Sequence, residues 1–115
     1  TSSSYVRPDL RRANFSNANL SGASLNNALL ENANLEGANL SYATLDNAVL
    51  NRSNLTNAVL EGAFAFNTQF RDVIIDGADY TDAFLRADTA KELCEIAQGT
   101  NPTTGNETRD TLYCD

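Results

Sequence analysis

The sequence predicts an all-β solenoid, a chain that winds into a continuous coil, and three regular observations lead to that fold class. A large apolar residue occupies every fifth position through most of the chain. A small residue, usually alanine, stands two places before each of them, and a turn-forming residue such as Asn or Gly often stands two places after. Repeats of this kind are typical of solenoids, in which each unit packs against its neighbours.

The five-residue period excludes both regular elements as the basis of the repeat. On a helix that turns by about 100° per residue, the apolar residues would be spread around every side. On a strand, an odd spacing would place successive apolar residues on opposite faces. A chain that turns a corner every five residues can bury them together, because each quintet then forms one wall of a coil. The residues at the centres of the quintets are Leu10, Phe15, Leu20, Leu25, Leu30, Leu35, Leu40, Leu45, Leu50, Leu55, Leu60, Ala65, Phe70, Ile75, Tyr80 and Leu85.

The number of walls follows from the residue just before each centre, which should face outward and stack on its counterpart one coil away. At a spacing of twenty residues the two stacked residues are of the same type, as in Asn14 with Asn34 and Phe64 with Phe84. At a spacing of fifteen the partners differ, since Asn14 would meet Leu29. We therefore predict four walls and, over residues 8–87, four coils.

The quintets resemble a known family. Units such as Ala13–Asn17, Ala18–Gly22 and Ala38–Tyr42 match the pentapeptide-repeat pattern A(D/N)LXX, and the match covers residues 8–87 as 16 uninterrupted units. The resemblance implies a right-handed quadrilateral β-helix, in which the central residue and the small residue two places before it point inward.

Residues 88–115 predict a short helical cap over the C-terminal end of the coil, which would otherwise expose an open edge. Asp88 is a suitable N-cap for a first helix that runs to Ala97, with Leu93, Ile96 and Ala97 on one face. Gly99 can end that helix. The other end, residues 1–7, is polar and gives no strong structural signal.

A second short helix, from Glu107 to Tyr113 with Asn106 as its cap, is predicted to follow the turn at residues 101–105. The chain's only cysteines, Cys94 and Cys114, flank this part of the sequence. A disulfide is the favoured interpretation, and two free thiols are the alternative. The bond would close a loop of about 20 residues and stabilise the cap by roughly 3 kcal/mol.

The tail CEIAQGTNPTTGNETRDTLYC resembles that of disulfide-bearing pentapeptide-repeat proteins of the thylakoid lumen. The segments GTNPTTG and TRDTLYC carry the likeness. The resemblance implies the lumen of plant chloroplasts or, as an alternative, the lumen or periplasm of cyanobacteria. An oxidising compartment agrees with a lasting disulfide.

Composition excludes several classes of function. The chain has 115 residues, no histidine and two cysteines, so a zinc site of the usual type lacks ligands and Ser–His or Cys–His catalysis is excluded. The net charge of −7 argues against nucleic-acid binding, and no apolar run is long enough to span a membrane. Because the chain begins with Thr1 and lacks Met, we expect a processed product.

The stretch GAFAFNTQF at residues 62–70 interrupts the repeat, because Ala65 occupies a central position between Phe64 and Phe66. Three interpretations stay open. Phe64 or Phe66 could turn inward to fill the space beside Ala65. Alternatively Phe64, Phe66 and Phe84 form an outward aromatic patch, which is covered by the cap or a neighbouring chain, or which binds a partner protein.

Two charged groups are further candidates. Four aspartates and Glu61 gather towards the C-terminal end, where we expect solvated carboxylates rather than a metal site. Arg7, Arg11 and Arg12 cluster at the N-terminal end, so we expect a charge asymmetry along the molecule. The four aspartates are Asp72, Asp76, Asp79 and Asp82.

The sequence therefore predicts a non-catalytic structural or protein-interaction module of the thylakoid lumen, monomeric, without cofactor, and with an unidentified protein partner. Two alternatives remain. One is a regulator switched by reduction of Cys94–Cys114, with a lumenal thiol oxidoreductase as partner. The other is a DNA-mimicking protein that binds topoisomerases, an activity that the resemblance implies for some acidic members of the family.

Overall fold

A chain of parallel bridges between residues twenty apart organises the structure. The computed structural model describes residues 7–114, so of the predicted N-terminal segment only Arg7 lies within it. The bridges run from Asp9 to Phe84, and each involves a single residue on either side. The bridged segments form four stacks along the molecule, which are called walls 1 to 4. The first central residues of walls 1, 2, 3 and 4 are Leu10, Phe15, Leu20 and Leu25, respectively.

Backbone hydrogen bonds join each level of the stack to the next. On wall 2, Phe15 N–H donates to Asn34 O at 2.7 Å, and Asn34 N–H donates to Ala13 O at 2.9 Å. At the following corner, Asn17 N–H donates to Glu36 O at 2.8 Å. Because the same pattern recurs around the coil, the short strand-like segments satisfy one another's backbone groups without any long strand.

The corners explain the turn-forming residues. The second residue after the centre has a positive φ in every quintet from residue 12 to residue 82 except at Asn67. This left-handed backbone favours Gly and tolerates Asn and Asp better than other residues. The corner residues with positive φ are Arg12, Asn17, Gly22, Asn27, Asn32, Gly37, Tyr42, Asn47, Arg52, Asn57, Gly62, Asp72, Gly77 and Asp82.

The core runs along the axis of the coil. From Leu30 to Leu60 the central leucines are fully buried, and the small residues two places before them, alanine in every case but Ser53, are buried as well. Each buried leucine contributes about 1.5–3 kcal/mol through removal of apolar surface from water. The central residues of the first four quintets are partly buried: Leu10, Phe15, Leu20 and Leu25.

Helix α1 spans Ala87–Cys94, so the predicted N-cap and end of the first helix are wrong. The N-cap is Arg86, whose backbone is already extended, while the Asp88 carboxylate accepts the Thr89 N–H. The helix ends before Ala97 because the chain returns to the coil, where Gln98 O accepts the Gly77 N–H at 2.8 Å. Leu93 and Ala97 are buried, whereas Ile96 is exposed.

Helix α2 spans Thr108–Thr111, shorter than the predicted helix from Glu107 to Tyr113. Its N-cap is Glu107, without a side-chain capping bond, so Asn106 is not the cap. The Asn106 amide instead donates to the Asp79 carboxylate at 3.1 Å. Tyr113 has a positive φ of 57°, which ends the helix.

Asn101 attaches the segment between the two helices to the corner of the coil. This side chain is fully buried, and its amide lies within hydrogen-bond distance of the backbone oxygens of Asn57, Ala58 and Gly77. Its own oxygen accepts the N–H groups of the following turn. No helix in residues 7–114 has both the length and the apolar character needed to cross a membrane.

The fit between Tyr42 and Gly62 yields a prediction. A Cβ atom at Gly62 would lie 2.5 Å from the Tyr42 ring, whereas one at Gly22 would meet nothing within 4 Å, and both glycines have positive φ. Gly22→Ala should therefore cost only the left-handed backbone penalty of roughly 1–2 kcal/mol. Gly62→Ala should cost about 1 kcal/mol more in the free energy of unfolding, because the ring must leave its position. Urea denaturation checks this, and equal losses in the two variants would contradict it.

Candidate interaction surface

Phe64 and Phe84 form an outward-facing pair on wall 4. Their backbones are joined by a parallel bridge, and their rings stack with centroids 4.9 Å apart and planes within 3°. Both side chains remain exposed, at 42% and 54% respectively. The bridge aligns the two side chains, so the stacked rings are held by the rigid part of the fold.

Phe66 lies at the next corner and is 52% exposed. The guanidinium carbon of Arg86 is 5.8 Å from the centroid of its ring, a distance at which a cation is attracted to the aromatic face. Arg86 also pairs with Asp88 in the first turn of α1. Because all three phenylalanines are exposed, the alternative in which one fills the space beside Ala65 is wrong, and α1 does not cover them.

Ala65 is nevertheless buried. It belongs to the same buried cluster as two larger central residues, Phe70 and Tyr80, whose rings meet edge to face with centroids 6.2 Å apart. The adjacent corner is also altered. Asn67 lacks the positive φ of the other corners, and no bond from Asn47 N–H to Phe66 O appears among the backbone bonds of residues 7–114.

Tyr42 is a member of this surface that sequence reasoning missed. It occupies a corner with φ of 60°, is 58% exposed, and its ring lies against Gly62, two residues before Phe64. The available signal was an aromatic residue at a corner with a glycine twenty residues later. The aromatic surface, as the term is used below, consists of Tyr42, Phe64, Phe66 and Phe84.

Cys94 and Cys114 form a disulfide that joins the end of α1 to the residues after α2. Both cysteines are half-buried. They border a shallow cavity of about 370 Å³ at the surface, which also contacts Lys91, Leu112 and Tyr113. Arg109 strengthens the same junction by donating to Cys94 O at 2.9 Å.

The expectation of solvated aspartates is wrong for Asp79, which is 1% exposed. Its carboxylate accepts hydrogen bonds from the Thr81 N–H and hydroxyl and from the Asn106 amide. Burial would raise the pKa of Asp79, but hydrogen bonds from Thr81, Thr104 and Asn106 outweigh it and lower the pKa below its ordinary value. No group of carboxylates or cysteines within residues 7–114 is arranged to hold a metal ion.

The structure adds to the expected lengthwise asymmetry a second grouping of basic side chains, which the sequence analysis did not predict. Arg7 lies across a corner and donates to Asn27 O and Asn47 O. The corner between walls 1 and 2 carries Arg11 and Arg12 and, at lower levels of the same stack, Arg52 and Arg71. Four of the eight basic side chains thus lie along one edge of the molecule, and two of them, Arg11 and Arg12, also belong to the N-terminal cluster.

Comparison with known proteins decides the family. A family model described as "Pentapeptide repeats (8 copies)" matches residues 9–41 and 30–72, more than half of the chain. The chain belongs to the pentapeptide-repeat family. A solved pentapeptide-repeat structure from the Arabidopsis thaliana thylakoid lumen is 40% identical, with a TM-score of 0.68, and the match covers 94% of this chain and 89% of that one. From this similarity, the present pentapeptide-repeat protein is a right-handed β-helix.

Two curated relatives from Arabidopsis thaliana are also similar. Thylakoid lumenal 15 kDa protein 1, chloroplastic, is 55% identical over 47 residues, which are 41% of this chain and 21% of the relative. Thylakoid lumenal protein TL20.3, chloroplastic, is 48% identical over 40 residues, 35% of this chain and 14% of the relative. The match spans about a fifth or less of these relatives. Together with the solved structure they confirm the predicted location in the chloroplast thylakoid lumen.

Asp79 leads to a prediction about acid stability. Because its pKa in the folded protein is below the ordinary 3.8, the ionised carboxylate stabilises the fold above that pH. This stabilisation is lost as the pH falls through the lowered pKa. Urea denaturation from about pH 5 to about pH 2.5 should show wild type losing more stability than Asp79→Asn.

Asp9→Asn is the matched control, because Asp9 pairs with Arg11 at an exposed site where solvent screens the interaction. Its removal should change the slope of stability against pH less than removal of Asp79. Equal slopes in wild type and Asp79→Asn would contradict the role given to Asp79.

Proposed function

We propose that this protein is a non-catalytic interaction module of the thylakoid lumen, which binds an apolar segment of another lumenal protein through the aromatic surface. Its architecture is a polar segment at residues 1–7, a β-helix of four coils at residues 8–87, and a disulfide-pinned helical cap at residues 88–115. The observation that carries the proposal is the stacked pair Phe64–Phe84, held outward on a bridged wall.

The energetics favour a binding role for these rings. Exposed aromatic side chains supply large apolar area and are enriched among residues that dominate protein interfaces. Here the backbone beneath them is held by hydrogen bonds to the preceding level, since Phe64 N–H donates to Ala43 O and Phe84 N–H to Ala63 O. A surface that is already ordered loses little conformational entropy on binding.

The charged residues around the rings indicate what kind of partner segment would bind. Arg86 lies over Phe66, and Asp46 occupies the corner position one coil before Phe66. An apolar anchor flanked by polar or charged residues would therefore match the centre and the rim of this surface. Members of the pentapeptide-repeat family are generally structural or interaction proteins, which agrees with a module that performs no catalysis.

The test is affinity capture from thylakoid lumen extract, followed by reconstitution with the purified prey. Phe64→Ser combined with Phe84→Ser should weaken binding of that prey at least about 30-fold, as expected for loss of central interface aromatics. Ile74→Ser is the matched control, because Ile74 is equally exposed, at 50%, but lies on wall 2. Isothermal titration calorimetry gives the dissociation constants.

Each variant is first checked by circular dichroism and urea denaturation, so that a loss of binding is not a loss of folding. A prey that binds wild type, the phenylalanine variant and Ile74→Ser with equal affinity would contradict the aromatic surface as the binding site. An empty capture by folded wild type would contradict the interaction module itself.

A second candidate, a redox-switched regulator, is favoured by the half-buried cysteines beside a surface cavity. A dithiol reductant would break the S–S bond and leave two thiols, while its own two thiols become a disulfide. The link to binding is Arg86, which is both the N-cap of α1 and the partner of Phe66. The DNA-mimicking alternative gains support from the net charge alone, and the row of arginines at one corner opposes it.

Reduction with dithiothreitol should destabilise the cap by up to about 3 kcal/mol and leave the coil intact. Amide hydrogen exchange should show faster exchange in residues 87–114 and unchanged exchange in residues 28–60. The double variant Cys94→Ser with Cys114→Ser should not respond to the reductant. Unchanged exchange of the cap in the reduced protein would rule out the switch.

A further inference from the structure

The corner between walls 1 and 2 gathers half of the chain's eight basic side chains. The arginine corner is defined as Arg11, Arg12, Arg52 and Arg71. Glu31 and Asp72 share this edge and Asp9 pairs with Arg11, so the edge carries one more positive than negative charge in a chain whose net charge is −7. The diagonally opposite corner carries Glu61 and Asp82 and no basic residue in its stack. Charge is therefore separated across the molecule.

Two of these arginines occupy positions that the backbone does not favour for arginine. Arg12 and Arg52 have φ of 63° and 62° at corners that elsewhere hold mostly Asn or Gly. A left-handed backbone costs a residue of this type more than it costs Asn or Gly. An arginine therefore does not stabilise this turn. Because arginine nevertheless occupies the position twice in the same stack, at Arg12 and Arg52, we expect it to serve a role other than folding.

Most guanidinium groups of the arginine corner are available to bind a ligand. Within residues 7–114, neither the Arg12 nor the Arg71 guanidinium makes an ion pair or a hydrogen bond, and Arg71 donates only its backbone N–H, to Asn51 Oδ1. Arg52 approaches only Glu31, at 3.6 Å, and its side chain is 55% exposed. Arg11 is already paired with Asp9 through two contacts of 2.8 Å. Between Arg12 and Arg52 lies a small cavity of about 120 Å³, which Glu31 and Asn32 also line.

We propose that the arginine corner binds a carboxylate-rich extended segment of a second protein, at a site separate from the aromatic surface. Guanidinium groups bind carboxylates through paired hydrogen bonds. Arg12 and Arg52 lie two levels apart, or about 10 Å at roughly 4.8 Å per level. A polyproline II segment rises about 3.1 Å per residue with three residues per turn, so acidic residues three positions apart meet the same spacing on one side.

The arrangement favours a protein segment over a nucleic acid. Glu31 sits among the arginines and would repel a continuous row of phosphates, whereas spaced carboxylates can bind on either side of it. The overall negative charge of the chain opposes a polyanion as large as nucleic acid. A short acidic segment responds mainly to the local positive edge, because charges farther away than about 10 Å are screened at physiological salt.

The test uses a fluorescein-labelled peptide of four Glu-Pro-Pro repeats, with a peptide in which Gln replaces Glu as the control. Fluorescence anisotropy at about 20 mM salt should show binding of the Glu peptide alone, and about 0.5 M salt should abolish it. Arg12→Asn combined with Arg52→Asn should weaken binding about two- to fivefold per arginine. Glu31→Gln should tighten it, because Arg52 loses its competing partner.

The chosen variants separate binding from folding. Asn occupies the equivalent corner at Asn17 and Asn32, so Arg12→Asn and Arg52→Asn should keep or raise the free energy of unfolding. Lys91→Gln, which removes a basic side chain in α1, should leave peptide binding unchanged. The proposal fails if the double variant binds as wild type does, if Glu31→Gln weakens binding, or if a single-stranded DNA 12-mer displaces the peptide at a lower concentration than unlabelled peptide.

Discussion

The left-handed backbone at each corner is the constraint on which the rest of the structure depends. It turns the chain after every quintet, so that residues twenty apart meet in parallel and exchange backbone hydrogen bonds. The turn also explains why leucine can recur every fifth residue, since each corner brings the next one back to the axis. Where the corner at Asn67 departs from this backbone, the hydrogen bond between neighbouring levels is lost and Phe66 is exposed.

Much of the coil follows from the sequence because its determinants are local and repeated. A period of five, small residues inside the corner and Asn or Gly at the turn each act within one quintet, and sixteen copies reinforce one another. The stacking of Phe64 on Phe84 follows from the same twenty-residue spacing. The right-handed sense of the coil cannot be inferred from the spacing of the repeat. It is inferred from membership of the pentapeptide-repeat family.

The two C-terminal helices were less predictable because their ends are set by contacts with the coil. Asp88 has the residue type of an N-cap, yet the last quintet already places Arg86 in an extended backbone, so the helix begins earlier. Asn106 bonds to Asp79 instead of capping α2, and neither partner is close to the other in sequence. The outward position of Phe66 accompanies the loss of the positive φ at Asn67, a departure from the repeat that the Asn at this position does not reveal.

The contact between Tyr42 and Gly62 has a consequence for how such a protein can change in length. Large and small corner residues are matched across levels, as in Asn17 over Gly37 and Asn57 over Gly77. Inserting or deleting a single quintet would shift every later corner to another edge and place side chains where a glycine is needed. Duplications of twenty residues keep every edge in line, so we expect repeats of this kind to evolve by gain or loss of whole levels.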